Sequence, residues 1–239
     1  MIRALYTATS GMLVESRRLD LAARNLYYAQ VPGYKAAGEL RAAQRPTEGP
    51  LPLDVQTDYQ GEFVNPAPGP VRPTGRSWDL ALSGDGFFVL QGPNGPLYTR
   101  DGRFFRAPDG TVRNGPGYAL LGQAGPIVVP ADTEVRVDEG GWVWAGGKQV
   151  DRLRIENFPG YRGLLRLGGN VFAAAGALQP APANPQVLQG ALEDANVQQV
   201  EQMTRMIEAV RGFEAYQKVV QTVMEDVTGE AVRRIGRVA

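Results

Sequence analysis

The side chains that most often do chemistry near neutral pH are missing from this chain, which has no cysteine and no histidine. That removes thiolate and Ser-His-Asp nucleophiles, Cys- or His-ligated metals and the commonest general base. What remains is mainly carboxylates. Asp79, Asp85, Asp101 and Asp109 gather in the middle of the sequence, where a pair could serve a glycosidase or a cation site. Their contexts point elsewhere: Asp85, Asp101 and Asp109 each precede glycine, and no D-x-[DN]-x-[DN]-G run with a downstream Glu is present. Turn chemistry accounts for them. Gly84-Asp85-Gly86 could cradle a phosphate if it opened a helix, but it leads into the strand-like run Phe87-Phe88-Val89-Leu90. Trp142 and Trp144 stand two apart on one strand face and read as core or interface rather than as a saccharide platform. No catalytic, cofactor-binding or metal-ligating residue is assigned, and the chain is not read as an enzyme.

Composition narrows the partners. The chain has 239 residues with 25 basic and 25 acidic side chains, so it lacks the basic excess that a phosphate backbone demands, and nucleic acid is excluded as a partner. No segment is long and apolar enough for a membrane span, and the N-terminal run MIRALYTATSGMLVESRRLDLAARN has no continuous apolar core of the kind a cleaved signal peptide needs. Export, if it occurs, is expected to use another route.

Proline placement divides the chain. Every proline lies between Pro32 and Pro185, which leaves the two ends free to form long helices. In the first, Leu5, Met12, Leu19 and Leu26 recur every seventh residue, with Ile2, Thr9, Ser16 and Ala23 as a smaller companion row, up to the breaker Pro32-Gly33. In the last, Met206, Phe213, Val220 and Val227 form one row, with Val210, Met224 and Ala231 beside it. These rows are narrow, and Gly11 and Gly212 each weaken a helix interior by about 1 kcal/mol relative to Ala. Such helices are expected to need partners, which makes both rows candidate assembly surfaces. Between the ends, short apolar alternations cut by turn signals predict an antiparallel β domain, with Asp101-Gly102 and Asp109-Gly110 as hairpin turns. The expected fold is α+β: an axial helix and exit turn over 1–35, an extended Pro-rich connector over 36–73, a β-rich domain over 74–185 and an axial helix over 186–239. The connections 45–73 and 180–185 are expected to be extended and sparsely hydrogen-bonded. Two such rows at opposite ends invite the helices to pair in a coiled-coil-like way.

Three groups of residues carry a resemblance. Leu5-Tyr6-Thr7-Ala8, Ser10-Gly11-Met12, Leu19-Asp20, Asn25-Leu26 and Pro32-Gly33-Tyr34-Lys35 form the first. Asp79-Leu80-Ala81-Leu82, Gly84-Asp85-Gly86-Phe87-Phe88 and Tyr98-Thr99-Arg100-Asp101-Gly102 form the second. Gly190, Leu192-Glu193, Asn196-Val197, Val200-Glu201, Met203, Met206-Ile207, Arg211 and Tyr216 with Lys218 form the third. In this order they resemble the flagellar rod and hook family of axial proteins over nearly the whole chain. Arg24-Asn25, Tyr27-Tyr28 and Ala195 depart from the family's usual residues, and the short connection from Ala36 to Pro73 is most like the proximal-rod type.

The resemblance implies a structural subunit of the basal-body rod that polymerises with copies of itself and other rod and hook proteins. Head-to-tail contacts of this kind build a helical tube. It also implies export by the flagellar type III apparatus without a cleaved signal, and no cofactor. A distal-rod or hook-type subunit is the alternative within the family; a secreted carbohydrate-binding or hydrolysing β domain is the alternative of another class.

Overall fold

The computed structural model describes residues 2–41, 59–158, 161, 163–168, 170–175 and 178–235, with side chains at 2–4, 41, 59–61 and 226–235 outside the description. The proline-free ends are helical, α1 (Ile2–Tyr27) and α2 (Gln199–Ile235). A single 3₁₀ turn, Tyr28–Gln30, follows α1. No helix among the described residues is long and apolar enough to cross a membrane.

Between the helices the described chain is β-rich. It forms β1 (Ala37–Arg41), β2 (Tyr59–Val64), β3 (Val71–Pro73), β4 (Leu80–Ser83), β5 (Phe87–Gly92) and β6 (Gly95–Thr99). Next come β7 (Phe104–Arg106), β8 (Val112–Asn114), β9 (Ala119–Leu120), β10 (Val135–Val137), β11 (Trp142–Ala145) and β12 (Lys148–Arg152). The last are β13 (Ile155–Asn157), β14 (Leu164–Gly168), β15 (Val171–Ala174), β16 (Ala181–Pro182), β17 (Gln186–Gln189) and β18 (Ala191–Glu193). The largest sheet runs β14-β15-β6-β5-β9-β8-β7 with β13 and β16 attached, and β10-β11-β12 form a separate antiparallel sheet.

Two compact units divide the chain. One holds Met1–Leu26, Gly38–Glu62 and Gln198–Ala239; the other holds Tyr27–Ala37 and Phe63–Val197. The β unit has two cores, and β5 supplies both. Its side chains alternate in direction, so Phe88 and Leu90 enter one core while Phe87 and Val89 enter the other. That is why the run Phe87-Phe88-Val89-Leu90 is apolar without a break: the strand is buried on both faces.

Several expectations change. Asp101-Gly102 is not a hairpin turn, because β6 pairs with β5 and β15 while β7 pairs with β8. Gly102 is there for close approach: a Cβ on it would lie 1.6 Å from the Leu80 carbonyl oxygen. Asp109-Gly110 does turn the chain between β7 and β8, with Gly110 at φ +85°. The connection 180–185 is not free of pairing, since β16 within it bonds to β13. Residues 186–193, attached to the last helix in the sequence reading, are strands: β17 pairs with β4 and β18 with β3, and the helix starts at Gln199. The Pro-rich connector likewise contains β1 and β2, which pair, and β3; residues 42–58 lie outside the description.

Candidate functional site

The three groups of motif residues converge on one buried junction in the β unit. Glu193, at the end of β18, receives the Lys35 ammonium on one carboxylate oxygen at 2.6 Å and the Arg100 guanidinium on the other at 2.9 Å. All three side chains are at most 2% exposed. Ions this deep are tolerated only when their remaining hydrogen-bonding capacity is met. Backbone meets most of it: Lys35 donates to the Ala67 carbonyl at 2.8 Å, Arg100 donates to the carbonyls of Leu82 and Gly84, and the Gly69 amide donates to Glu193, while the buried Arg100 Nε has no partner among the described residues. Burial pushes the Lys35 ammonium below its ordinary pKa, and the Glu193 charge pulls it back up.

The exit turn is fastened to the same place. The Gly33 amide donates to the Glu193 carbonyl at 2.6 Å, and the Asn196 amide donates to the Tyr34 carbonyl at 3.3 Å. The Asn196 side chain accepts from the Ala36 amide and donates to the carbonyls of Asn65 and Ala67. Gly33 has φ +69°, and a Cβ on it would lie 2.3 Å from the Arg100 carbonyl. Only glycine combines that backbone with that approach. Chain entering the unit after α1 and chain leaving it before α2 are therefore bonded side by side.

The other motif residues support this junction. Thr99 donates its hydroxyl to the Asn170 carbonyl and accepts from the Asp101 amide. Asp101 clasps Arg103, as an Asx turn does. Tyr98 is buried, and burial, followed by the Glu156 charge, pushes its phenol up to about 12. Asp85 is exposed between Gly84 and Gly86, and Val197 is half-buried just before α2. Asp79 is buried and accepts the Thr74 hydroxyl at 2.7 Å, so it too is structural. Sequence reasoning missed Arg166 and Asn170. Arg166 donates to the Lys35 carbonyl and stacks over the Tyr34 and Phe172 rings, and Asn170 donates to the Pro32 carbonyl. Neither lies in a motif; only the oddity of Arg166 amid Leu164, Leu165 and Leu167 could have drawn notice.

In the helical unit, the ring of Tyr216 sits against Gly11, the side chain of Glu15 lies against Gly212, and Asn25 donates to Gln202 at 3.2 Å in a buried setting. As the α1 position rises from 11 through 15 to 25, its partner on α2 falls from 216 through 212 to 202, so the helices run antiparallel in constant register. Glu15 and Glu39 also hold Arg18, and Arg24 pairs with Glu62. Close approach is made at Gly11 and Gly212, and the buried apolar positions of the two helices are Ala8, Val14, Leu21, Ala22 and Ala209 among the described residues.

The large apolar rows read from the sequence lie elsewhere on the helices. Leu5, Met12, Leu19 and Leu26 are half-buried, as are Met206, Phe213 and Val220, while Val210 and Met224 are exposed; the Val227 side chain lies outside the description. A stripe of α2 running through the motif residues Val200, Met203 and Ile207 to Val210 is more open still. Val200 is 78% and Ile207 55% exposed, with Met203 and Val210 between and beyond them at heptad spacing.

Comparison with known proteins fits this geometry. The family model of the flagellar basal body rod FlgEFG protein C-terminal region matches residues 188–226. That of the flagellar hook protein FlgE/F/G D1 domain matches residues 81–145. The chain is 31% identical over 246 residues to the flagellar basal-body rod protein FlgF of Caulobacter vibrioides, covering 100% of both chains. It is 32% identical to FlgF of Salmonella typhimurium, over 95% of this chain and 96% of that one. It is 29% identical to the flagellar basal-body rod protein FlgG of Bacillus subtilis, over 93% and 95%.

Proposed function

The chain belongs to the flagellar basal-body rod protein family, and from that premise we propose how it builds the rod. It is a structural, non-enzymatic subunit of the basal-body rod, of the FlgF-like proximal type. The observation that carries the assembly mechanism is the division of labour on α2: Gln202, Gly212 and Tyr216 meet α1, and the apolar stripe Val200, Met203, Ile207 and Val210 is exposed.

In this reading α1 and α2 form a coiled-coil-like antiparallel pair. The rows Leu5, Met12, Leu19, Leu26 and Met206, Phe213, Val220, together with Val210, Met224 and Val227, are covered by neighbouring axial subunits. Full burial is worth about 1.5–3 kcal/mol for each large apolar side chain, so a few such rows drive polymerisation. The functional segments are the axial helices α1 and α2, the connector at 36–73 and the β domain from 74, with strands β17 and β18 serving the junction. Partners are other rod and hook proteins, copies of this chain and the flagellar type III export apparatus.

The test is deletion of the gene followed by electron microscopy of purified basal bodies. Rods truncated near their base and lacking hooks are expected. A complete rod and hook in the deletion strain would remove the proximal-rod role. A rod that is intact at its base but missing its outer part would favour the distal position.

A further inference from the structure

The solvent face of the sheet β10-β11-β12 holds a cavity outside the helical rows assigned to assembly. Side chains at every second residue share a face, so Val135, Val137, Val143 and Ala145 enter the core while Arg136, Trp142 and Trp144 point the other way. Arg136 stands directly across from Trp144, which stands across from Gln149, so one row crosses all three strands. A cavity of about 610 Å³ opens here, lined by Glu134, Arg136, Asp138, Trp144, Gly146 and Gly147. Small-molecule sites have volumes of about 300–1,000 Å³.

Three features make it more than a dent. Gly146 at φ +56° and Gly147 at φ +78° form the β11-β12 turn, so the rim beside Trp144 carries no side chains. Asp138 is held in place, accepting the Trp142 amide at 2.9 Å and facing the Trp144 indole nitrogen at 3.5 Å. Arg152 lies over the Trp142 ring 5.6 Å from its centroid and donates to the Gly140 carbonyl and the Asn184 side chain, which props that end of the sheet.

We propose that this cavity binds a saccharide. A pyranose ring has one apolar face of C–H groups, which stacks on an aromatic ring, and an equatorial belt of hydroxyls, which planar acceptors and donors grip in pairs. Trp144 supplies the ring; Glu134 and Asp138 supply acceptors and Arg136 a forked donor. A phosphorylated ligand would meet two carboxylates against one guanidinium, and a purely apolar one would strand all three charges. A neutral or N-acetylated sugar leaves none of these groups in conflict. The site is one of binding alone.

The test uses the full-length chain, whose third tryptophan, Trp78, is changed to Phe so that fluorescence reports on Trp142 and Trp144. Titration with N-acetylglucosamine oligosaccharides, with cello- and malto-oligosaccharides in parallel, is expected to give a saturable change for at least one. Saturation-transfer NMR on the same mixtures should show contact from the sugar's C–H face. Trp144→Ala is expected to weaken binding by about tenfold or more. Arg136→Ala alters only an exposed side chain and carries the same test should Trp144→Ala unfold. No saturable signal from any of the saccharides, or equal binding by both variants, overturns the proposal. So does a Trp144 signal that responds to another axial subunit while every saccharide is silent.

Discussion

The β unit and the helical unit differ in what holds them together. In the β unit the motif charges Lys35, Arg100 and Glu193 are sealed inside and paired with one another, and the apolar run of β5 is shared between two cores. In the helical unit the close contacts use Gly11, Gly212, Asn25 and Gln202, while Val200, Ile207 and Val210 face solvent. The β unit keeps large apolar side chains such as Phe105, Val128, Leu165 and Leu167 exposed as well, but scattered over different strands and loops, whereas those of α2 form one continuous stripe shaped for a partner.

The comparison breaks most visibly at the junction. Glu193→Ala leaves two buried cations without their counter-charge, and a loss of about 3–5 kcal/mol is expected in the denaturant unfolding of the β unit. A loss no larger than that of a surface ion pair would mean that the junction is not the keystone assigned to it. Gly33→Ala forces a Cβ against the Arg100 backbone at positive φ, and should cost about 1–3 kcal/mol in the same measurement.

A smaller effect sharpens the contrast by pH. The Tyr98 phenol ionises near 12 in the fold against an ordinary value of 10.0. Between those values the unfolded chain binds fewer protons than the folded one, so stability falls as pH rises through that window. Tyr98→Phe should flatten this alkaline slope in thermal unfolding followed at several pH values; an unchanged slope would place its cause elsewhere.

Legibility in the sequence followed the range of the interactions. The helices were readable from the absence of proline, and β5 from its uninterrupted apolar run, because both signals are local. Gly33, Lys35, Arg100, Glu193 and Asn196 were readable as separate motif residues, but not as one cluster. Their meeting depends on β3-β18 and β4-β17 pairings between segments more than a hundred residues apart, with no local pattern to announce them. Arg166 and Asn170 were invisible for the same reason. On the helices, counting large apolar residues picks out rows that are mostly half-buried and passes over Ala8, Gly11, Ala22 and Ala209, which allow close approach through small size rather than hydrophobicity.

Least disturbing to the isolated chain is Val210→Asp, because Val210 is exposed there, and its unfolding free energy should stay within about 0.5 kcal/mol of the parent. The measurement that bears most directly on the account is therefore whether this variant, expressed in the deletion strain, enters purified basal bodies. The account predicts a folded, soluble chain that is absent from rods, and cells without hooks. Complete rods containing Val210→Asp would contradict it, because the outward stripe of α2 would then have no part in assembly.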